Sequence, residues 1–175
     1  MSKLSIAEVN ALSPEAFATR FGFLFEHSPW VAQDAAEHRP FETLGAMQAA
    51  LARALFFATD AQKLAVFRAH PKLADKAAIA EGLTRESASE QASAGLDALT
   101  PEEFARFGEL NAAYEARFGF PFIIAVRAAG GKAGVLNAMT ARLSNSEAQE
   151  RRNALDEVVK IVGLRLMDIV EGERV

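Results

Sequence analysis

Apolar positions along this chain recur mainly at intervals of three and four, the spacing that gathers side chains on one face of an α-helix. In "SPEAFATRFGFLF", Phe17, Phe21 and Phe25 are four residues apart, behind Ser13 as N-cap and Pro14 at the first helical position. "SPWVAQDAAEH" repeats the Ser-Pro start and predicts a short helix from Pro29. Leu44, Met47, Leu51 and Leu55 predict a longer one, despite Gly45. Thr59 or Asp60 is placed to cap the helix that turns Leu64, Val66 and Phe67 inward and ends near His70.

Thr84 predicts the start of a helix that stops near Gly95. In "TPEEF", Thr100, Pro101 and Glu103 form a capping-box signature ahead of Phe104, Phe107, Leu110 and Tyr114. Gly119 and Pro121 then interrupt the period and predict an extended segment over 119–127. "GGKAGVLNAMTARL" predicts a glycine-initiated helix, and Ser146 with Gln149 opens a long final one. No two runs pair as a strand hairpin, and no linker, repeat or low-complexity tract divides the chain. The pattern predicts an all-α fold, a single-domain compact bundle of about seven to nine helices over residues 1–175.

Composition narrows the function. With 175 residues, half of them hydrophobic and 24% charged, the chain is long enough to bury a core of its own. Cysteine is absent, which excludes disulfides, thiolate nucleophiles and Cys-ligated metals together. The formal net charge of −4 argues against a nucleic-acid partner. The apolar runs "ALFFA" and "FPFIIAV" are too short to span a bilayer, and "MSKLSIAEVNALSPEAF" lacks a signal-peptide core, so the expected location is cytoplasmic.

The candidate chemistry begins at His70, which Pro71 pushes away from helical dihedrals. Two readings stand for it: a helix-ending imidazole favoured by the helix dipole, or an acid–base group that titrates near working pH. In "SASEQ", Ser87, Glu90 and Gln91 lie three and four residues apart and share a helix face. That face is either a solvated one or one that sets a carboxylate and two neutral hydrogen-bonding groups around a small ligand. Arg127 closes "FPFIIAVR", either as a surface Arg at the edge of the core or as a two-donor clamp for a carboxylate. The extended backbone before it has N–H and C=O groups available to a flat polar ligand. His27, His38 and His70 have no metal-ligand spacing, and no HExxH, GxGxxG, P-loop or GxSxG string occurs, so no metal is expected. An enzyme, a small-anion binding module and a helical interaction protein all remain open on these residues alone.

Taken together, "FGFLFEHSPWVA", "FRAHPKLADKAA" and the run from "LTRESASEQASAGL" to "FPFIIAVR" resemble the OHCU decarboxylase family over nearly the whole chain. That family acts on 2-oxo-4-hydroxy-4-carboxy-5-ureidoimidazoline (OHCU) in urate degradation. The resemblance implies an all-helical, commonly homodimeric enzyme that needs no cofactor or metal and yields (S)-allantoin. It implies His70 and Glu90 as catalytic residues. It implies Pro71, Ser87, Gln91, Phe122, Ile123, Ile124 and Arg127 as substrate-binding ones. Lys72 and Asp75, in the loop after His70, depart from the family's usual residues there.

Overall fold

Capping chemistry sets most of the helix starts. The computed structural model describes residues 3–75 and 83–172. Among them are nine α-helices, two short 3-10 turns and no strand. We number the helices α1 (Ile6–Ala11), α2 (Pro14–Phe21), α3 (Trp30–Ala36), α4 (Leu44–Phe57), α5 (Asp60–Ala69), α6 (Arg85–Ser93), α7 (Pro101–Phe118), α8 (Gly131–Arg142) and α9 (Glu147–Ile169). Ser13, Thr43, Thr84 and Thr100 each accept a backbone N–H of the first turn, as N-caps do. Thr59 caps α5 by accepting from the Gln62 N–H at 3.2 Å, while the Gln62 side chain accepts from the Thr59 N–H at 3.0 Å.

The helical pattern omitted α1, which is only six residues long. Its local signal was nonetheless present. Ser5 and Glu8 form a reciprocal capping box, and the hydrogen bonds from Ser5 hold the Glu8 carboxyl below its ordinary range. The Phe17–Phe21–Phe25 helix is α only as far as Phe21; Gly22–Phe25 is a 3-10 turn.

Contacts divide the chain into two compact units. One contains the chain through Ala69 and from Val158 onward; the other is His70–Glu157. Helix α9 supplies residues to both.

In the first unit, the expected apolar faces are buried. Phe17 and Phe21 pack at 4.7 Å between ring centroids, and Val9, Leu44, Met47, Leu51, Leu55, Val66 and Phe67 are closed off from solvent. Leu64 is only partly covered. An isolated parallel bridge joins Leu4 to Val170. Glu26, at a left-handed φ of 51°, makes a buried ion pair with Arg165 at 2.9 Å.

In the second unit, Tyr114, Phe118, Phe120 and Phe122 form an aromatic cluster. The Tyr114 ring meets Phe118 at 4.7 Å and Phe122 edge-on at 5.1 Å. Phe107, Leu110, Val135 and Met139 complete this core, while Phe104 is half-buried. Gly119 caps α7 in the left-handed region at φ 75° and donates to Glu115 O at 2.8 Å, so the chain leaves the helix sharply.

Close packing at the start of α8 leads to a prediction. A Cβ at Gly134 would sit 1.6 Å from the Ala129 carbonyl oxygen, which is backbone and cannot swing aside. Gly134→Ala should therefore destabilise the protein by about 1–3 kcal/mol, although alanine is the better helix former. A thermal melt of the variant at or above the wild-type midpoint would contradict this.

Candidate active site

Proline ends α5 where the sequence predicts. Pro71 disfavours the helical conformation at the preceding residue, and the helix stops at Ala69. His70 follows with only 9% of its surface exposed.

The next turn is strained and held. Ala74 has φ 55°, a left-handed conformation that costs a non-glycine residue about 1–2 kcal/mol. Its N–H donates to Gln91 Oε1 at 3.0 Å, and Gln91 Nε2 reaches the Lys72 carbonyl at 3.4 Å. Asn111 on α7 donates to the Leu73 carbonyl at 2.8 Å. Lys72 pairs with Glu115 on the same helix at 2.7 Å, a hydrogen bond that raises the lysine pKa above its ordinary value. Residues 72–74 are thereby fixed to α6 and α7 together. Residues 76–82 of the expected loop lie outside the described residues.

Helix α6 carries the "SASEQ" string. Thr84 Oγ1 accepts from the Ser87 N–H at 3.3 Å and fixes where the helix begins. The helical period then turns Ser87 (6% exposed) and Gln91 (7% exposed) inward, and leaves Glu90 half-buried beside them. Ser87 and Gln91, four residues apart, are thus buried on the same side of the helix. Gln91 bonds the strained loop through both its carbonyl and its amide, and its second amide N–H has no partner among the described residues.

The third string runs from Gly119 to Ala128. Residues 121–125 have no helical or ladder bonding, and Phe122 and Ile123 are each 2% exposed while Ile124 is half-buried. The non-helical stretch ends two residues earlier than 127. The Ala125 carbonyl accepts from the Ala128 N–H at 2.9 Å and closes a 3-10 turn over Val126–Ala128. Arg127 sits in that turn, exposed. Helix α6 packs against the same turn. It is therefore the element that meets both the loop following His70 and the turn bearing Arg127.

The back of the non-helical stretch is anchored by residues the sequence reading did not single out. Arg142 Nη1 donates to the Ile123 carbonyl at 2.9 Å, with its guanidinium 4.4 Å from the Phe122 ring centroid. Glu157 Oε2 accepts from the Ala125 N–H at 2.7 Å. Arg142 is held in turn by Glu150, which is fully buried and accepts from Arg142 Nε at 2.8 Å, Asn145 at 2.7 Å, Asn153 at 3.0 Å and the Tyr114 hydroxyl. Burial pulls the Glu150 pKa upward, but the hydrogen bonds from Arg142, Tyr114 and Asn145 outweigh it and hold the carboxyl below its ordinary 4.5. Burial, reinforced by the bond to Glu150, drives the Tyr114 hydroxyl far above its usual range. One sequence signal could have exposed this network: Glu150 falls in register with Ala154 and Val158, on the apolar stripe of α9. A charge in such a stripe requires a buried partner.

Among the described residues, no group of three or more His, Asp or Glu side chains is arranged to hold a metal ion. Nor is any described helix long and apolar enough to cross a membrane. A half-open hollow of about 330 Å³ lies between Ala74 and the residues Leu96, Leu99, Pro101 and Phe104; none of the nine expected site residues lines it.

Comparison with known proteins places this arrangement. A family model described as OHCU decarboxylase matches residues 10–167, a span that crosses both compact units without a break. A 2-oxo-4-hydroxy-4-carboxy-5-ureidoimidazoline decarboxylase from Haloferax volcanii is 40% identical, over 99% of this chain and all of its own length. One of the same name from Amia calva is 39% identical, over 96% of this chain and 95% of its own. A solved structure described as (S)-allantoin synthase superposes with a TM-score of 0.76 at 30% identity, covering 95% of this chain and 54% of that one. The fold also matches a structure of OHCU decarboxylase in the presence of (S)-allantoin, at a TM-score of 0.67 and 23% identity.

Proposed function

Because the chain belongs to the OHCU decarboxylase family, we propose that it is a carboxy-lyase converting OHCU to (S)-allantoin in urate degradation. The observation that carries the site is the position of α6. It buries Ser87 and Gln91, bonds the loop that follows His70, and packs against the turn bearing Arg127. Two strings from elsewhere in the chain thus meet the helix that carries the third.

The reaction suits side chains alone. The carboxylate leaves from a ring carbon that also bears a hydroxyl and adjoins a C=N bond. As the C–CO2 bond breaks, its electron pair forms a carbon–carbon double bond, and the C=N pair moves to nitrogen, which takes a proton. The resulting enol loses its hydroxyl proton to become the ring amide carbonyl while the neighbouring carbon gains a proton on one face. Substrate atoms accept every electron, so the proposed enzyme needs no metal or cofactor. His70 moves these protons, and Glu90 orients the imidazole and stabilises its charged form. Ser87, the remaining N–H of Gln91, Pro71, the Phe122–Ile124 backbone and Arg127 hold the ureido, ring and carboxylate groups. Arg127, exposed in its turn, takes the substrate carboxylate with two donors. Protonation from one side makes the allantoin one-handed, a reading the likeness to a chain described as (S)-allantoin synthase supports.

The protein is further proposed to act as a single domain, in the cytoplasm, as a homodimer, in keeping with the family resemblance. The decisive measurement uses substrate generated from urate by the preceding oxidation and hydrolysis. The protein should speed the loss of the substrate's ultraviolet absorbance and leave optically active allantoin. An unchanged decay with racemic product would overturn the proposal.

A further inference from the structure

Arg142 and Glu157 take the Ile123 carbonyl and the Ala125 N–H, the groups that flank Ile124 in the sequence. Among the described residues none hydrogen-bonds the Ile124 N–H or C=O. Ile124 is half-buried, whereas its neighbours Ile123 and Ala125 are each 2% exposed. The groups that flank Ile124 are clamped, and its own amide groups are left for a ligand.

The clamp is stiff for a physical reason. Arg142 is held from behind by the Glu150 carboxylate, itself fixed by Asn145, Asn153 and Tyr114, while its planar guanidinium lies over the Phe122 ring. A single planar cation thus reads a backbone carbonyl, a carboxylate and an aromatic face. A lysine ammonium is a compact charge on a flexible stem and cannot reproduce that arrangement.

We propose that Arg142 and Glu157 are positioning residues for the decarboxylation, setting the Ile124 amide groups so that they hydrogen-bond the planar ureido or ring amide of the substrate. This rests on the function proposed above, including the assignment of the Phe122–Ile124 backbone to substrate binding. Neither residue touches the reacting atoms. Their effect is on substrate affinity and on which face receives the proton.

The test compares wild type with Arg142→Lys, Glu157→Gln and Glu157→Leu, each assayed well below its own melting temperature. Glu157→Gln keeps an oxygen to accept the Ala125 N–H and should retain wild-type KM and product handedness. Glu157→Leu and Arg142→Lys should raise KM about tenfold, the scale of one lost hydrogen bond, and lower the enantiomeric excess of allantoin. The pH dependence of kcat should not move, because the proton-transfer groups are untouched. Allantoin binding to the same variants, measured by calorimetry, should weaken in parallel and gives a readout independent of turnover. Folded Arg142→Lys and Glu157→Leu proteins with wild-type KM, handedness and allantoin affinity would assign both residues a purely structural part and overturn the inference. Wild type that binds allantoin but fails to turn OHCU over would instead refute the proposed function, and the calorimetric comparison would still decide the clamp.

Discussion

Replacing His70 by alanine should lower turnover of OHCU by about 10²–10⁴-fold, the range for loss of a positioned general acid–base group. The residual reaction should give allantoin closer to racemic. Substrate released half-finished is protonated by water from either side. The fold should survive the change, because α5 already ends at Ala69 through Pro71 and does not need the imidazole as a stop. Circular dichroism and melting temperature therefore separate a lost catalyst from a lost structure. His70→Ala at full rate with one-handed product would remove His70 from the mechanism. In the proposed mechanism Glu90 orients and charges the imidazole, so Glu90→Gln should follow in the same direction with a smaller loss.

The second large effect is on stability. Glu150 is fully buried and receives hydrogen bonds from Arg142, Asn145, Asn153 and Tyr114. Glu150→Ala leaves the Arg142 cation largely buried without its counter-charge, and it strips partners from two amides and a phenol. Losing one member of a buried ion pair costs about 3–5 kcal/mol, enough to consume much of a domain's net stability. Chemical denaturation should show a large fall in midpoint. A variant within about 0.5 kcal/mol of wild type, the range of ordinary surface substitutions, would refute the central place given to this network.

Acid should probe the same group. The Glu150 pKa in the folded protein is held below its ordinary 4.5 by donors that only the fold supplies, so the unfolded chain binds that proton first as pH falls. The stabilisation is complete above the unfolded value and drains away as pH drops through the folded one. Glu103, lowered by its hydrogen bonds to Lys132 and then to the Thr100 N–H, contributes a slope of the same sign. Glu150→Gln should remove part of the acid-side slope while leaving that of Glu103. An unaltered slope in Glu150→Gln would show that the buried carboxyl does not titrate with unfolding.

The helices were legible because their determinants are local. A cap and its partner are three residues apart, as in Ser5–Glu8 and Thr100–Glu103, and an apolar face repeats within one or two turns. The same locality put Ser87 and Gln91 in register on one helix and made Pro71 legible as the end of α5. The six-residue α1 escaped because it is too short to display a period, although its capping box was there to be read.

What the sequence alone determined is thus the all-helical fold, most helix starts, the buried faces and the family. Only the tertiary structure decided which polar groups meet. Gln91 grips the Ala74 N–H across 17 residues, Asn111 the Leu73 carbonyl across 38, and Glu157 the Ala125 N–H across 32. Hydrogen bonds over such distances depend on how helices pack, and packing is a collective outcome of burial that no short window of residues contains. The strained Ala74 and the clamped back of residues 122–125 belong to that second kind of information.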